Sequence, residues 1–198
     1  MSAFLEAPVL AGRLVRLEPL AAAHAADLAA AVGDLSEKWT TRIPEPEGMA
    51  AEIERRRALA ERGRIVPWAI CLADTGRAVG MTTYLHLDEE NHRLEIGSTW
   101  IGPAEQRTGI NAETKLLQLT RAFEVLGCNA VEFRTHWHNR QSRRAIEALG
   151  AKQDGVLRNH QVWKDGTLRD TVVYSIVAAE WPAVRMGLED RVRGSRPE

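Results

Sequence analysis

Three strand-length apolar segments follow one another between residues 65 and 101, parted only by short turns, and no other feature restricts the fold as tightly. Residues 65–72 lead into Asp74-Thr75-Gly76, residues 78–87 into the polar stretch 88–92, and residues 93–101 end at Gly102-Pro103. Turns of this length, rich in Asp and Gly, return a strand beside its predecessor, so the three segments form an antiparallel meander.

The flanking sequence alternates strands and helices. Residues 9–17 read as a first strand closed by Pro19, and 20–32 as a helix stopped by Gly33. A proline-marked connection, 35–48, leads to a charged surface helix over 47–62. Beyond the meander, 111–126 carries Leu116, Leu119, Phe123 and Leu126 on one helical face, with Gly127 as its stop. Residues 130–138 alternate again, with Val131, Phe133, Thr135 and Trp137 on one side and Glu132, Arg134, His136 and His138 on the other. Asn139 caps a helix that closes at Gly150, and 152–163 and 168–177 bracket the hairpin turn Lys164-Asp165-Gly166. Residues 180–188 add a helical turn, and 189–198 read as a polar, disordered tail. The order defines an α+β layer architecture.

Composition removes several functions. A chain of 198 residues, 44% hydrophobic, buries enough surface to fold without staples. Its formal net charge of −1, with both signs interspersed, offers no broad field for a nucleic acid or an anionic membrane. Cys71 and Cys128 lack CxxC spacing and read as buried free thiols in a reducing compartment. The first 20 residues lack the basic-then-apolar order of a signal peptide, and no uncharged apolar run approaches the roughly 20 residues of a membrane span. A cytoplasmic protein without membrane or nucleic-acid partners is expected.

Chemistry concentrates between residues 95 and 142. Gln106-Arg107-Thr108-Gly109-Ile110-Asn111 follows a strand and opens an amphipathic helix, which points free backbone N–H groups at whatever lies in front. A phosphate or pyrophosphate suits that position. Gly109 permits close approach, and Arg107 and Lys115 offer charge. The bland alternative is an ordinary loop in which Asn111 caps the helix. The motif is neither GxGxxG nor a P-loop.

The stretches LEIGSTWI, QRTGINAE, NRQS and EALGA, in this order and spacing, resemble the GNAT acetyltransferases, whose first motif reads Gln/Arg-x-x-Gly-x-Gly/Ala. Together with DGTLRDTVVYSI they look most like the branch that acetylates ribosomal-protein N-termini (RimJ/RimL-like), over nearly the whole chain. Two positions depart: Asn111 stands in place of Gly or Ala, and Ile146 where many members carry a tyrosine acid.

The resemblance implies a GNAT-like fold, a mixed, mostly antiparallel seven-stranded sheet flanked by helices with splayed central strands, in a single domain over 1–188. It implies acetyl-CoA as co-substrate, no metal, and a primary amine of a protein N-terminus or small molecule as acceptor. A homodimer is a family-level expectation. Pantetheine would lie along Ser98, Thr99, Trp100 and Ile101. Gln106, Arg107, Thr108, Gly109, Ile110 and Asn111 would meet the pyrophosphate, helped by Lys115 and Asn139.

Glu95 is then the general base, against the alternative of a solvated carboxylate on a half-exposed strand. Ser142 matches the residue that protonates the leaving thiolate, against an ordinary first-turn serine. Trp39, Tyr84 and Trp137 border the acceptor or pack the core. His136, His138 and His160 have no complementary Cys or carboxylate at zinc spacing. The competing function is a non-catalytic acyl-CoA-binding module.

Overall fold

The computed structural model describes residues 2–195. Among them the sheet has eight strands: β1 (Leu10–Ala11), β2 (Val15–Pro19), β3 (Val66–Leu72), β4 (Ala78–Asp88), β5 (Arg93–Ile101), β6 (Ala130–His136), β7 (Lys152–Val162) and β8 (Leu168–Val177). Their spatial order is β1-β2-β3-β4-β5-β6-β8-β7. Every neighbouring pair is antiparallel except β5 and β6. The helices are α1 (Ala25–Ala31), α2 (Met49–Glu61), α3 (Ile110–Thr120), α4 (Arg140–Glu147) and α5 (Trp181–Gly194).

The architecture is the expected one, with eight strands in place of seven. The additional strand comes from a break in the first segment, where Gly12, Arg13 and Leu14 turn the chain. A buried carboxylate from α3 holds that turn. Glu113 accepts the backbone N–H groups of Arg13 at 2.8 Å, Leu14 at 2.6 Å and Val15 at 2.8 Å. Gly12 is required there, since a Cβ would lie 2.5 Å from the Glu113 carboxyl carbon.

The sheet is covered on both faces. Alternate residues of β3 point to opposite cores: Trp68 and Ile70 pack with Leu119 and Leu188 on the α3 and α5 side, while Ala69 and Cys71 pack with Leu28 and Ile53 on the α1 and α2 side. This double burial explains why 66–70 is a continuous apolar run rather than an alternating one. Both cysteines are buried free thiols, and burial raises each to about 11.

The carboxyl-terminal expectation is corrected. The helix does not stop near Leu188 but continues to Gly194, because Val184, Leu188 and Val192 form one buried stripe. Arg13 fastens it by donating to the carbonyls of Val192 and, at 2.8 Å, Ser195. Residues 196–198 of the expected tail lie outside the described residues. The helix after the meander also differs: α3 passes at Arg121 into a π-helical turn ending at Val125.

Candidate active site

The cleft follows from the one parallel pair. Strands β5 and β6 pair only at Arg93 with Ala130, Leu94 with Val131 and Glu95 with Glu132. Beyond Glu95 each strand stays hydrogen-bonded to its outer neighbour, β4 or β8, and the two diverge. A cavity of about 710 Å³ fills the gap, walled by both strands, residues 40–44, the start of α4 and the tip of the β7–β8 hairpin. The inner edges of β5 and β6 carry backbone groups with no strand partner across the gap. An extended ligand with its own amides satisfies such edges as a strand would.

Glu95 stands where the strands part. It is 5% exposed and lines the cavity. Its carboxylate meets His86 Nδ1 at 2.7 Å and Arg134 Nε at 3.5 Å. His86 sits at an irregularity of β4, with φ 46° and a side chain 63% exposed. The hydrogen bond that the ring donates to Glu95 raises the His86 pKa against the opposing effect of burial. The pair thus connects a buried carboxylate to an imidazole in solvent, a route for a proton to leave the cleft.

At the other end, the loop into α3 is shaped by two left-handed residues, Arg107 (φ 68°) and Gly109 (φ 91°). Gly109 is the N-cap, and a Cβ there would lie 2.2 Å from Ser195 Oγ. The first-turn N–H groups of α3 have no intrahelical acceptors. Gln106, Arg107 and Asn111 line the cavity, whereas Thr108 hydrogen-bonds back to the Glu105 carbonyl and Ile110 is buried in the core. Gln106 donates to the Ile101 carbonyl at 3.0 Å. Asn139 accepts the Ser142 N–H at 3.0 Å, and both residues face the same cavity. Ser98, with φ 48°, marks the irregularity of β5 beside the cleft; Thr99, Trp100 and Ile101 line the wall.

Four positions differ from expectation. Lys115 lines the same cavity, but as a buried amine rather than a surface charge. Its Nζ is buried between Thr99 Oγ1 at 2.7 Å, Gln118 Oε1 at 3.1 Å and Thr82 Oγ1 at 3.3 Å, and burial lowers its pKa to about 7. Tyr84 is fully buried, edge-on to Trp68, with its hydroxyl given to the Gln118 carbonyl. Trp137 lies past the end of β6, outside the cavity, under the Arg143 guanidinium at 4.4 Å. Trp39 does not line the cavity either; its ring packs edge-on against His136 at 5.0 Å, and its carbonyl accepts the Trp163 indole N–H.

The cavity is also lined by residues that were not named as site candidates, among them Arg42, Arg134, Trp163, Arg169 and Thr171. Arg134 shares a strand face with His136, a pattern visible in the sequence. Arg42 comes from a loop and Arg169 from the start of β8, and their meeting over Trp163 has no local signature.

Among the described residues, one group with metal-ligand chemistry lies within 4.8 Å: Glu18, His24 and Cys71. His24 Nδ1 accepts the Ala21 N–H at 3.1 Å, so the ring proton sits on Nε2, which faces Glu18 at 3.6 Å. This is a helix-start hydrogen-bond arrangement, and a metal at Nε2 would have to displace that proton.

Splayed central strands, a helix start and a buried carboxylate at the fork meet in one cavity. Residues 14–152 match the acetyltransferase (GNAT) domain, and the chain belongs to that family, an acyltransferase enzyme. A GCN5-related N-acetyltransferase from Brucella melitensis is 33% identical, with a TM-score of 0.84 over 93% of this chain and 85% of that one. An uncharacterized N-acetyltransferase, p20, from Bacillus licheniformis is 25% identical over 62% of this chain and 68% of its own length. RimJ of Mycobacterium smegmatis, solved with CoA-disulfide, shares the fold at 23% identity and a TM-score of 0.74, over 92% of this chain and 90% of that one.

Proposed function

We propose that the protein transfers the acetyl group of acetyl-CoA directly to a primary amine, the α-amine of a protein N-terminus, as in the RimJ/RimL branch, or a small-molecule amine. The observation that carries this reading is the buried Glu95 carboxylate at the fork of β5 and β6, in one cavity with the start of α3. GNAT enzymes use acetyl-CoA, and the RimJ complex with CoA-disulfide supports a cofactor in this cleft. The free inner edges of β5 and β6 suit an amide-bearing pantetheine, and the first-turn amides of α3 with Arg107 suit a pyrophosphate. The exposed, helical Asn111 leaves those amides open.

Acetyl-CoA supplies a thioester that a neutral amine can attack. Glu95 takes the proton from that amine, and the His86 ring passes it outward. The requirement is modest for an α-amine with pKa near 8, and costs roughly 3–5 kcal/mol at neutral pH for a lysine near 10.4. Ser142, at the start of α4 facing the cavity, stabilises the departing thiolate by a hydrogen bond from its hydroxyl, and the thiolate takes its proton from solvent. The test is thiol release from acetyl-CoA across a panel of amines, with acetyl-CoA binding followed by calorimetry. Amine-dependent release supports the reading. Tight binding without release for every amine supports the acyl-CoA-binding module, and absence of binding refutes both.

A further inference from the structure

We infer that the acceptor amine carries a carboxylate, which Arg42 and Arg169 hold beside the Trp163 ring in the cavity that Glu95 lines. This rests on the acetyl-transfer reading and narrows its acceptor to a chemical class. Trp163 is 5% exposed and is fixed by its indole N–H on the Trp39 carbonyl. The Arg42 guanidinium lies 4.4 Å from the ring centroid and that of Arg169 4.7 Å, so two cations share one aromatic platform.

Neither cation has a carboxylate within ion-pair distance among the described residues. Arg42 donates to the Val162 carbonyl at 2.9 Å, and Arg169 reaches only Gln161 Oε1 at 3.5 Å. The Arg169 Nε is buried with no partner. The cavity's own carboxylates are committed elsewhere. Glu95 is held by His86 and Arg134, and Glu105 pairs with Arg77 at 2.7 Å. Two unpaired guanidinium groups at a partly desolvated wall repel one another, and their geometry suits bidentate capture of a carboxylate. Burial and the nearby Arg42 both lower the Arg169 pKa, while Glu95 raises it, which places the three groups within electrostatic reach of one another.

Arg169 lies on β8 two residues from Thr171, which pairs with His136, and its guanidinium feels the Glu95 charge across the cavity. A polycationic acceptor such as a polyamine or aminoglycoside would meet Arg42, Arg134 and Arg169 together. A carboxylate reaches the site either on a small amino acid or on an acidic residue beside a peptide N-terminus.

Matched acceptors test the inference. Thiol release is measured for glycine, β-alanine and 4-aminobutyrate against their amides, and for peptides beginning Ala-Asp or Ala-Glu against Ala-Asn or Ala-Gln. The expected result is at least a roughly tenfold advantage in kcat/KM for the carboxylate in one arm, erased in Arg169→Met and in Arg42→Met. The arm that shows the advantage identifies the source. Equal rates within every pair, or preference for the uncharged or a cationic partner, overturn it. If no amine is acetylated, the acetyl-transfer reading fails and the anion site is read from melting with glutarate. A rise in Tm in the native protein but not in either variant retains the site, and no rise overturns it.

Discussion

Glu95 reaches the cleft because nothing stands beside it on the strand. A Cβ at Gly97 would lie 2.5 Å from Glu95 Oε1 and 2.8 Å from Leu85 Cδ1. The clashing carboxylate is the end of a flexible side chain, so Gly97→Ala displaces it with little loss of fold. The expected outcome is a fall in kcat on the order of tenfold or more with a nearly unchanged melting temperature, checked by parallel kinetics and melting. Lys115 behaves differently. Its pKa is about 7 in the fold against about 10.4 in the unfolded chain, so unfolding between those values takes up a proton and stability rises with pH across that window. Below pH 7 the full penalty of the buried charge is present. Lys115→Met removes this dependence: its melting temperature relative to the native protein falls steadily as pH rises from 7 to 10. A constant difference would mean that Lys115 is not desolvated. Period-2 alternation told which residues share a strand face but not which face meets the core, hence the misplacement of Tyr84, and it gave no depth along a helix, hence that of Lys115.

Elements are joined by a few buried charges whose effects exceed those of surface pairs. Glu113 ties α3 to the β1–β2 turn through three backbone N–H donors, and a glutamine retains one carbonyl oxygen and presents an amide N–H to donors. Glu113→Gln is expected to lose ~2–4 kcal/mol in urea unfolding, whereas breaking the exposed Arg57–Glu54 pair changes little. The same turn holds Arg13 against the end of α5, so loosening it also frees that helix. The bounds of β5 were legible to the residue, because Arg93 and Gly102-Pro103 bracket an unbroken strand pattern, and Asn139 declared the start of α4. The first strand was not. Its break depends on a carboxylate a hundred residues away. Nor was the far end of α5, whose charged positions outweighed the spacing of Val184, Leu188 and Val192.

At the scale of the whole molecule, a balanced net charge of −1 coexists with a cavity wall rich in arginine, because charges are sorted by the fold and not by the sequence. The loop from Gln106 to Asn111 was visible as a helix start, and Glu95 as a carboxylate on the right strand. Their common cavity arises from the fork of β5 and β6, a tertiary feature set by which neighbour each strand keeps. Arg42, Trp163 and Arg169 meet there from segments more than a hundred residues apart, beyond the reach of any local pattern. The proposed role of Glu95 is to accept the amine proton during acetyl transfer. It is tested most directly by the pH dependence of thiol release in Glu95→Gln, with an α-amine acceptor and saturating acetyl-CoA. The expected result is a loss in kcat of roughly 10²–10⁴ at pH 7, unchanged acetyl-CoA affinity, and a deficit that shrinks above pH 8 as the amine loses its proton unaided. A variant that turns over at the native rate at pH 7 contradicts it.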